Sequence, residues 1–279
     1  MFAALLIDIK NSRELSESER MQCQDQISLA IEIVNSLLTL KLEKKLVFSS
    51  GDSIQGLFLD TSEALKCFFI LKNLLYPFEI RGSVGYGKIN DVNPNNKEYI
   101  DNVNFLDGEA FHRAAEGLDI GKKSNYNIII SSEDQSNNLI VNQMLQTIYI
   151  LENMQTKKQK EIQFFFRSIF PYLDSSCNIE SYLQKITPLI SKYTTIKDYE
   201  KNMDIFINLI KNILPYFDTI ACKKTFSKDP FLKSMNEYVA ALLEVSRENI
   251  RQIVAKGKFN EIRKLEIVTA LLLTKLKEV

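Results

Sequence analysis

Two aspartates, Asp8 and Asp52, are the residues whose types and spacing could do chemistry. Asp8 follows a short apolar run, and Asp52 lies in FSSGDSIQGLF, at a Gly-Asp turn between two runs of strand-forming residues. Two carboxylates at one end of a sheet repel each other unless a cation or a shared proton lies between them. A hard divalent ion such as Mg²⁺ or Mn²⁺, completed by substrate phosphates, is the usual solution. The pair therefore predicts a metal site, and the alternative is that Asp8 only ends a strand and Asp52 only turns a hairpin.

The elements that must position these aspartates follow from the hydrophobic patterning of the first 134 residues. Strands are predicted at 2–9, 47–50, 53–59, 78–89 and 127–131, and helices at 18–42, 61–75 and 108–118. The first six of these elements follow the split βαβ or ferredoxin-like plan, a central antiparallel sheet with its helices on one face. In that plan the first strand and the hairpin are neighbours, so Asp8 is expected beside the turn that carries Asp52. The predicted fold class is α+β.

Four segments carry a resemblance to the catalytic domain of class III nucleotidyl cyclases. They are LIDIKNS at 6–12, SSGDSIQGLF at 49–58, EIRGSVGYGKI at 79–89 and DGEAFHRAAEGL at 107–118. More distantly, they resemble diguanylate cyclases and the palm domain of type III CRISPR polymerases. The resemblance implies that Asp8, the carbonyl of Ile9 and Asp52 face metal. It also implies a set of residues that hold a nucleotide: Asn11, Ser12, Gly51, Arg81, His112 and Arg113.

The departures from the cyclase pattern affect the end of the site that would recognise the substrate. Phe48 stands where cyclases carry a base-reading lysine. His112 and Glu116 stand where they carry the asparagine and the arginine that stabilise the transition state. A glutamate cannot offset developing negative charge as an arginine does. The departures favour nucleotide binding over catalysis, and an active cyclase or oligonucleotide-forming enzyme that uses two-metal phosphoryl transfer is the alternative.

The C-terminal segment MNEYVAALLEVSRENIRQIV, residues 235–254, has the spacing of a DNA-binding helix-turn-helix. Ser246 is a candidate cap of the second helix, and Ile250 and Ile253 are expected to face inward. Glu244 replaces the usual turn glycine. The residues left on the opposite face have side chains that read bases or meet phosphate: Arg247, Asn249, Arg251, Gln252 and Lys256. Residues 219–279 carry 12 Lys/Arg against 7 Asp/Glu, an excess of 12 − 7 = +5, which favours DNA over the alternative of a helical packing module with a solvated basic face.

Three domains are predicted: a cyclase-like α+β domain at 1–134, a helical region at 135–218 and a helix-turn-helix domain at 219–279. The helical region is expected to contain helices at 143–155, 158–172, 179–193 and 199–217. The four cysteines are scattered singly, so they predict core thiols rather than a zinc site or a disulfide framework. The sequence shows neither a signal peptide nor an apolar stretch of roughly 20 residues, so we expect a cytoplasmic protein without membrane contact.

The combination of a cyclase-like domain, the segment GEAFHRA and a helix-turn-helix tail resembles the SatD family of bacterial proteins. The resemblance implies a fold and a domain arrangement, and it implies no activity. We therefore expect a bacterial regulator in which a metal- and nucleotide-binding domain is coupled to a DNA-binding tail. We also expect a homodimer, because both kinds of site are commonly built across dimers. Besides the enzyme, a second alternative is a helical protein-interaction module on an inactive cyclase-like sheet.

Overall fold

The computed structural model describes residues 1–38, 42–49, 53–91, 103–124, 126–169, 179–192 and 230–275. The protein is α+β, with a five-stranded mixed sheet and a larger share of helix. It divides into two compact units, one formed by residues 1–150 and 265–279 and the other by residues 151–264. The two units are described separately.

The first unit contains the sheet. Its strands are β1 (Phe2–Ile9), β2 (Leu42–Phe48), β3 (Ser53–Phe58), β4 (Ile80–Gly87), β5 (Asn90–Asp91), β6 (Leu106–Asp107) and β7 (Ile128–Ser131). Its helices include α1 (Glu17–Leu37), α2 (Thr61–Leu74), α3 (Glu109–Ser124) and most of α4 (Gln135–Asn153). The order in the main sheet is β2-β3-β1-β4-β7, and β5 pairs with β6 in a separate ribbon.

The main sheet is mixed rather than antiparallel as predicted. β1 pairs antiparallel with both β3 and β4, whereas β7 pairs parallel with β4. The reason is the connection, because a helix such as α3 between two strands returns the chain to the starting end and makes the second strand parallel to the first. The parallel strand adds to the predicted plan at its β4 edge.

The helix ends follow local hydrogen bonding. The Ser16 hydroxyl accepts from the amide of Glu19 and the Glu19 carboxylate accepts from the amide of Ser16, a capping box that starts α1. The Ser16 hydroxyl also donates to the Glu19 carboxylate, and this bond, followed by the bond from the Ser16 amide, lowers the pKa of Glu19. α1 ends at Leu37, five residues before the predicted end, because β2 already begins at Leu42. The carboxylate of Asp60 accepts from the amide of Glu63 and caps α2.

Helices cover both faces of the sheet, rather than one face as predicted, because α3 follows the six elements of the predicted plan and packs on the face opposite α2. On one face Phe68 of α2 lies against Gly82 of β4. On the other face α3 lies along β4, and it packs so closely that a Cβ at Gly85 would overlap the backbone of α3 at Ala110 and Ala114. The close approach of α3 to β4 therefore depends on the absence of a side chain at Gly85.

The second unit is helical in its described part. It contains α5 (Lys157–Ile169), α6 (Ile179–Lys192), α7 (Pro230–Leu242), α8 (Arg247–Lys256) and the start of α9 (Phe259–Lys275). A buried ion pair joins Arg167 to Glu152 at 2.8 Å, and the Tyr182 hydroxyl donates to the carbonyl of Ser168 at 2.8 Å. The predicted helix at 199–217 lies outside the described residues.

The turn between α7 and α8 holds Glu244 in the left-handed region, with φ at 52°. A residue with a side chain is strained in that region by about 1 kcal/mol, whereas glycine is not. We expect Glu244→Gly to raise the free energy of unfolding by about 0.5–1 kcal/mol, measured by urea denaturation. The control is Ala241→Gly, an exposed position with helical backbone in α7, which should lower it by about 1 kcal/mol. Destabilisation by Glu244→Gly would contradict this account of the turn.

Two further sequence expectations concern cysteines and membranes. Cys23 and Cys67 are buried thiols outside any disulfide, as predicted, and burial raises the pKa of the Cys67 thiol well above its usual range. Cys177 and Cys222 lie outside the described residues. Among the helices that the structure describes, none combines the length and apolar character needed to cross a membrane.

Candidate functional site

Asp8 lies at one end of the sheet, near the end of β1. It is paired across the sheet with Ser53 of β3 on one side and with Arg81 of β4 on the other. Its side chain is half-buried, at 19% exposure. Ser53 directly follows Asp52 in the sequence, while Gly51 and Asp52 themselves lie outside the described residues. The strand that follows Asp52 therefore pairs with the end of β1 at Asp8, and the position of Asp52 itself stays a prediction.

Lys122 of α3 is the side chain that contacts the Asp8 carboxylate. Its Nζ lies 3.5 Å from Oδ2 of Asp8, and its side chain is 45% exposed. The sequence prediction missed it because the helix was expected to end at residue 118, whereas α3 continues to Ser124. The small residues that face the sheet gave the signal, since Ala110, Ala114, Gly117 and Gly121 recur at helical spacing past residue 118.

Arg81 adds a second cation beside Asp8. Directly opposite residues of an antiparallel pair project from the same face, so the Arg81 side chain shares the face of Asp8 and α3. Its Nε is buried and has no hydrogen-bond partner in the described part of the chain. A buried donor without an acceptor costs roughly 1–3 kcal/mol, and more when it is charged. Asp8, Arg81 and Lys122 together carry one negative and two positive charges, which suits an anionic ligand that supplies the missing acceptor.

Asn11 and Ser12 lie in the turn that follows β1. Asn11 has a left-handed backbone with φ at 55°, and its carbonyl accepts from the amide of Glu14 at 2.9 Å. Ser12 begins a single turn of 3₁₀ helix, Ser12–Glu14. Ile9 is buried and pairs with Ile80. These residues are adjacent to Asp8 along the chain, as the prediction placed them.

The other end of α3 holds His112 and Arg113. Nε2 of His112 lies 3.1 Å from Oδ1 of Asp107. Arg113 donates to the carbonyl of Tyr86 at 2.5 Å and forms an ion pair with Glu109 at 2.7 Å. Tyr86 is five residues along β4 from Arg81, which is about 17 Å at roughly 3.3 Å per residue. The fold therefore brings together Asp8, Ser53, Arg81 and Lys122, and it does not bring His112 or Arg113 to them.

The second candidate surface is the exposed side of α8. The Ser246 hydroxyl accepts from the amide of Asn249 at 3.2 Å and caps the helix, as predicted. Ile250 is fully buried and Ile253 is half-buried. The five predicted DNA-binding residues are all exposed: Arg247, Asn249, Arg251, Gln252 and Lys256.

Two glutamates pair with the arginines of α8. Arg247 lies 2.7 Å from Glu237 of α7, and Nε of Arg251 lies 3.0 Å from Glu248. Hydrogen bonds from Arg251 and then Gln252 lower the pKa of Glu248, so this carboxylate is ionised at neutral pH. The exposed side of α8 is therefore less positive than its arginines alone would make it.

Comparison with protein-family models finds no match to the chain, and comparison with curated proteins finds none either.

Proposed function

We propose that the protein is a regulator whose sheet unit binds a nucleotide, with a divalent metal ion, beside Asp8 and whose α7-α8 segment binds DNA. The observation that carries the nucleotide proposal is the charge arrangement at Asp8, where a half-buried carboxylate lies beside two cations. Nucleotide phosphates are anions that accept hydrogen bonds from guanidinium and ammonium groups. The buried, unpartnered Nε of Arg81 supplies a donor for such an oxygen.

The metal in this proposal is Mg²⁺ or Mn²⁺. A half-buried carboxylate at a strand end fits the oxygen ligands that these ions prefer. Asp8, the carbonyl of Ile9 and Asp52 would hold the ion, which would neutralise phosphate charge when bound. Lys122 competes with it, because its ammonium already contacts Asp8.

The strand order supports the ferredoxin-like and cyclase-like assignment. The order β2-β3-β1-β4 within the sheet is the order of the split βαβ plan. Arg113 contacts Tyr86, about 17 Å along β4 from Arg81, so a second copy would have to supply this arginine to a nucleotide beside Asp8. We therefore propose a homodimer, as the cyclase resemblance implies.

The nucleotide proposal is tested by titrating each of the four NTPs into the protein, with and without Mg²⁺, by calorimetry. Asp8→Asn should abolish the metal-dependent part of the affinity. Arg81→Met should weaken binding about tenfold or more under both conditions, because a hydrogen bond to a charged group contributes roughly 1.5–3 kcal/mol. Lys122→Met should separate the two effects. It should weaken binding without metal, because it removes a phosphate partner, and it should strengthen the metal-dependent part, because it frees Asp8 for the ion.

The matched control for Lys122→Met is Lys123→Met, an exposed neighbour on α3 that makes no ion pair with any described residue. It should leave both affinities unchanged. Equal effects of the two lysine variants, or binding that ignores Arg81→Met, would contradict the assignment. Chromatography of the same mixtures addresses the enzyme alternative, because a cyclic or linked product that is absent with Asp8→Asn and Asp52→Asn would show turnover.

The DNA part of the proposal is supported by the cap at Ser246, the buried Ile250 and the exposed polar side of α8. Coupling between the two parts requires that a nucleotide bind the DNA-free and DNA-bound forms with different affinity. DNA affinity measured with and without each nucleotide tests this. Identical affinities throughout would remove coupling from the proposal and leave two independent activities.

A further inference from the structure

We propose that a cavity in the sheet unit, at the opposite end of the sheet from Asp8, binds a small organic cation: an amine with an apolar body. The cavity has a volume of about 480 Å³, within the roughly 300–1,000 Å³ of small-molecule sites. It lies where the parallel strands β4 and β7 end, beside Tyr86 and Ile130. Ligands of open sheets commonly bind outside the carboxyl ends of such strands. This proposal does not rest on the proposed function.

The inner wall of the cavity is apolar. Ile130 of β7 and Val141 of α4 line it and are almost fully buried, and Leu273 of α9 adds a further aliphatic side chain. Tyr86 contributes an aromatic ring, whose face attracts cations. A ligand with a hydrocarbon or aromatic body would remove this wall from water, at roughly 25 cal/mol per Å² of apolar surface buried.

The polar side of the cavity is acidic. Asp60, Glu133 and Asp134 line it, and no described side chain around it is basic; Met1 lines it too, and its terminal ammonium is the one cationic group among these described residues. Asp60 and Asp134 each accept a hydrogen bond from a helix-start amide, those of Glu63 and Asn137. Two helix N-termini contribute roughly +0.5 charge each, which offsets about one of the three negative charges. With the ammonium of Met1 counted as well, about one negative charge remains beside an apolar wall. This combination selects an amine over a neutral or anionic molecule of the same shape.

Hydrogen bonds preorganise the turn on the acidic side of the cavity. The side-chain oxygen of Asn138 accepts from both the amide and the hydroxyl of Ser132, at 3.0 and 2.7 Å. Its side-chain nitrogen donates to the carbonyl of Ser132 at 2.9 Å. These three bonds fix the turn that carries Glu133 and Asp134. A preformed site loses little conformational entropy on binding, which favours affinity for a small ligand.

The test uses three probes of one shape: 4-phenylbutylamine, 4-phenylbutanol and 4-phenylbutyrate. Their binding to the full chain is measured by ligand-observed NMR and calorimetry at low salt. We expect the amine to bind at least about tenfold more tightly than the alcohol, and the carboxylate to bind more weakly than both. Equal affinity for the amine and the alcohol would overturn the cationic ligand class, and no binding by any probe at millimolar concentration would overturn the site.

Variants locate the binding. Glu133 is exposed, so the Glu133→Gln variant should fold normally. It should bind the amine more weakly, and its affinity for the alcohol should not change. Adding Asp60→Asn and Asp134→Asn removes the other two charges while both helices keep a capping side chain, because asparagine caps as well as aspartate. This triple variant should abolish the preference for the amine. Glu17→Gln, at an exposed position in the first turn of α1, and Asp8→Asn should leave it intact. A preference that survives the triple variant, or that Asp8→Asn removes, would overturn the assignment to this cavity.

Discussion

Gly85→Ala should destabilise the sheet unit by about 3 kcal/mol, at the upper end of what overpacking costs. The added methyl group would overlap the carbonyl oxygen of Ala110 and the amide nitrogen of Ala114. Both atoms belong to the backbone of α3, so no side chain can rotate away and the whole helix must move off β4. The free energy of unfolding measured in urea gives the size of the effect, and amide exchange in α3 shows whether the helix loosens.

The control for this prediction is Gly121→Ala in α3, the helix that packs on Gly85. There the added methyl group would lie 3.6 Å from the carbonyl oxygen of Tyr126 and 3.8 Å from Cδ1 of Ile129, which are ordinary contacts. Alanine is favoured over glycine inside a helix by up to about 1 kcal/mol, so this variant should stabilise the protein. Similar stabilities for the two variants would contradict the close packing of α3 on β4.

Replacement of Arg247 and Arg251 by Ala together should weaken DNA binding about 100-fold, on a scale of roughly 1–3 kcal/mol for each lost base contact. Where the arginines meet phosphate instead, the slope of log affinity against log salt should fall by about 1 for each. Fluorescence anisotropy with duplex DNA over a range of salt concentrations measures both quantities. Binding that does not change would remove the helix-turn-helix assignment.

The glutamates that pair with these arginines supply the opposite test. Glu237→Gln and Glu248→Gln each remove a negative charge from a partner of Arg247 or Arg251. Both should raise DNA affinity, because the arginine then no longer has to break an ion pair with a glutamate before it binds a phosphate. The control is Glu161→Gln on α5, which removes one negative charge from the same unit but from an ion pair with Lys158 that includes no residue of α8. An equal rise with the control would indicate net charge alone as the cause.

Most strands and helices of the first 131 residues could be predicted from sequence because their apolar residues recur at strand or helix spacing. The exceptions are β2, which begins at Leu42 rather than at the predicted residue 47, and the β5-β6 ribbon, which was not predicted. The strand at β1 was predicted with its observed ends, and α2 within one residue. α3 was predicted six residues short, since the residues that face the sheet past Leu118 include glycine rather than large apolar side chains. The parallel pairing of β7 was missed because the antiparallel plan covers only the elements before α3.

The candidate site could be predicted only in part. Asp8 and Arg81 lie directly opposite each other in β1 and β4. They are far apart in the sequence, so this neighbourhood cannot be predicted before the pairing of the two strands is known. Lys122 was missed along with the end of α3. Arg113 was predicted from a motif, and its bonds to Tyr86 and Glu109 are visible only in three dimensions. Whether a second copy brings it to Asp8 stays a prediction.

The outer strand β2 limits how copies of this protein can associate. Of the described strands in the main sheet, β2 forms the edge beside β3, and its register with β3 shifts twice. Its sequence, LEKKLVF, places Glu43, Lys44 and Lys45 in succession along that edge. Irregular pairing and lysines discourage another strand from adding there, which is how natural sheets avoid growing into aggregates. A dimer would therefore have to use a surface other than β2, and strand-mediated polymerisation should not start at this edge even when the protein is concentrated.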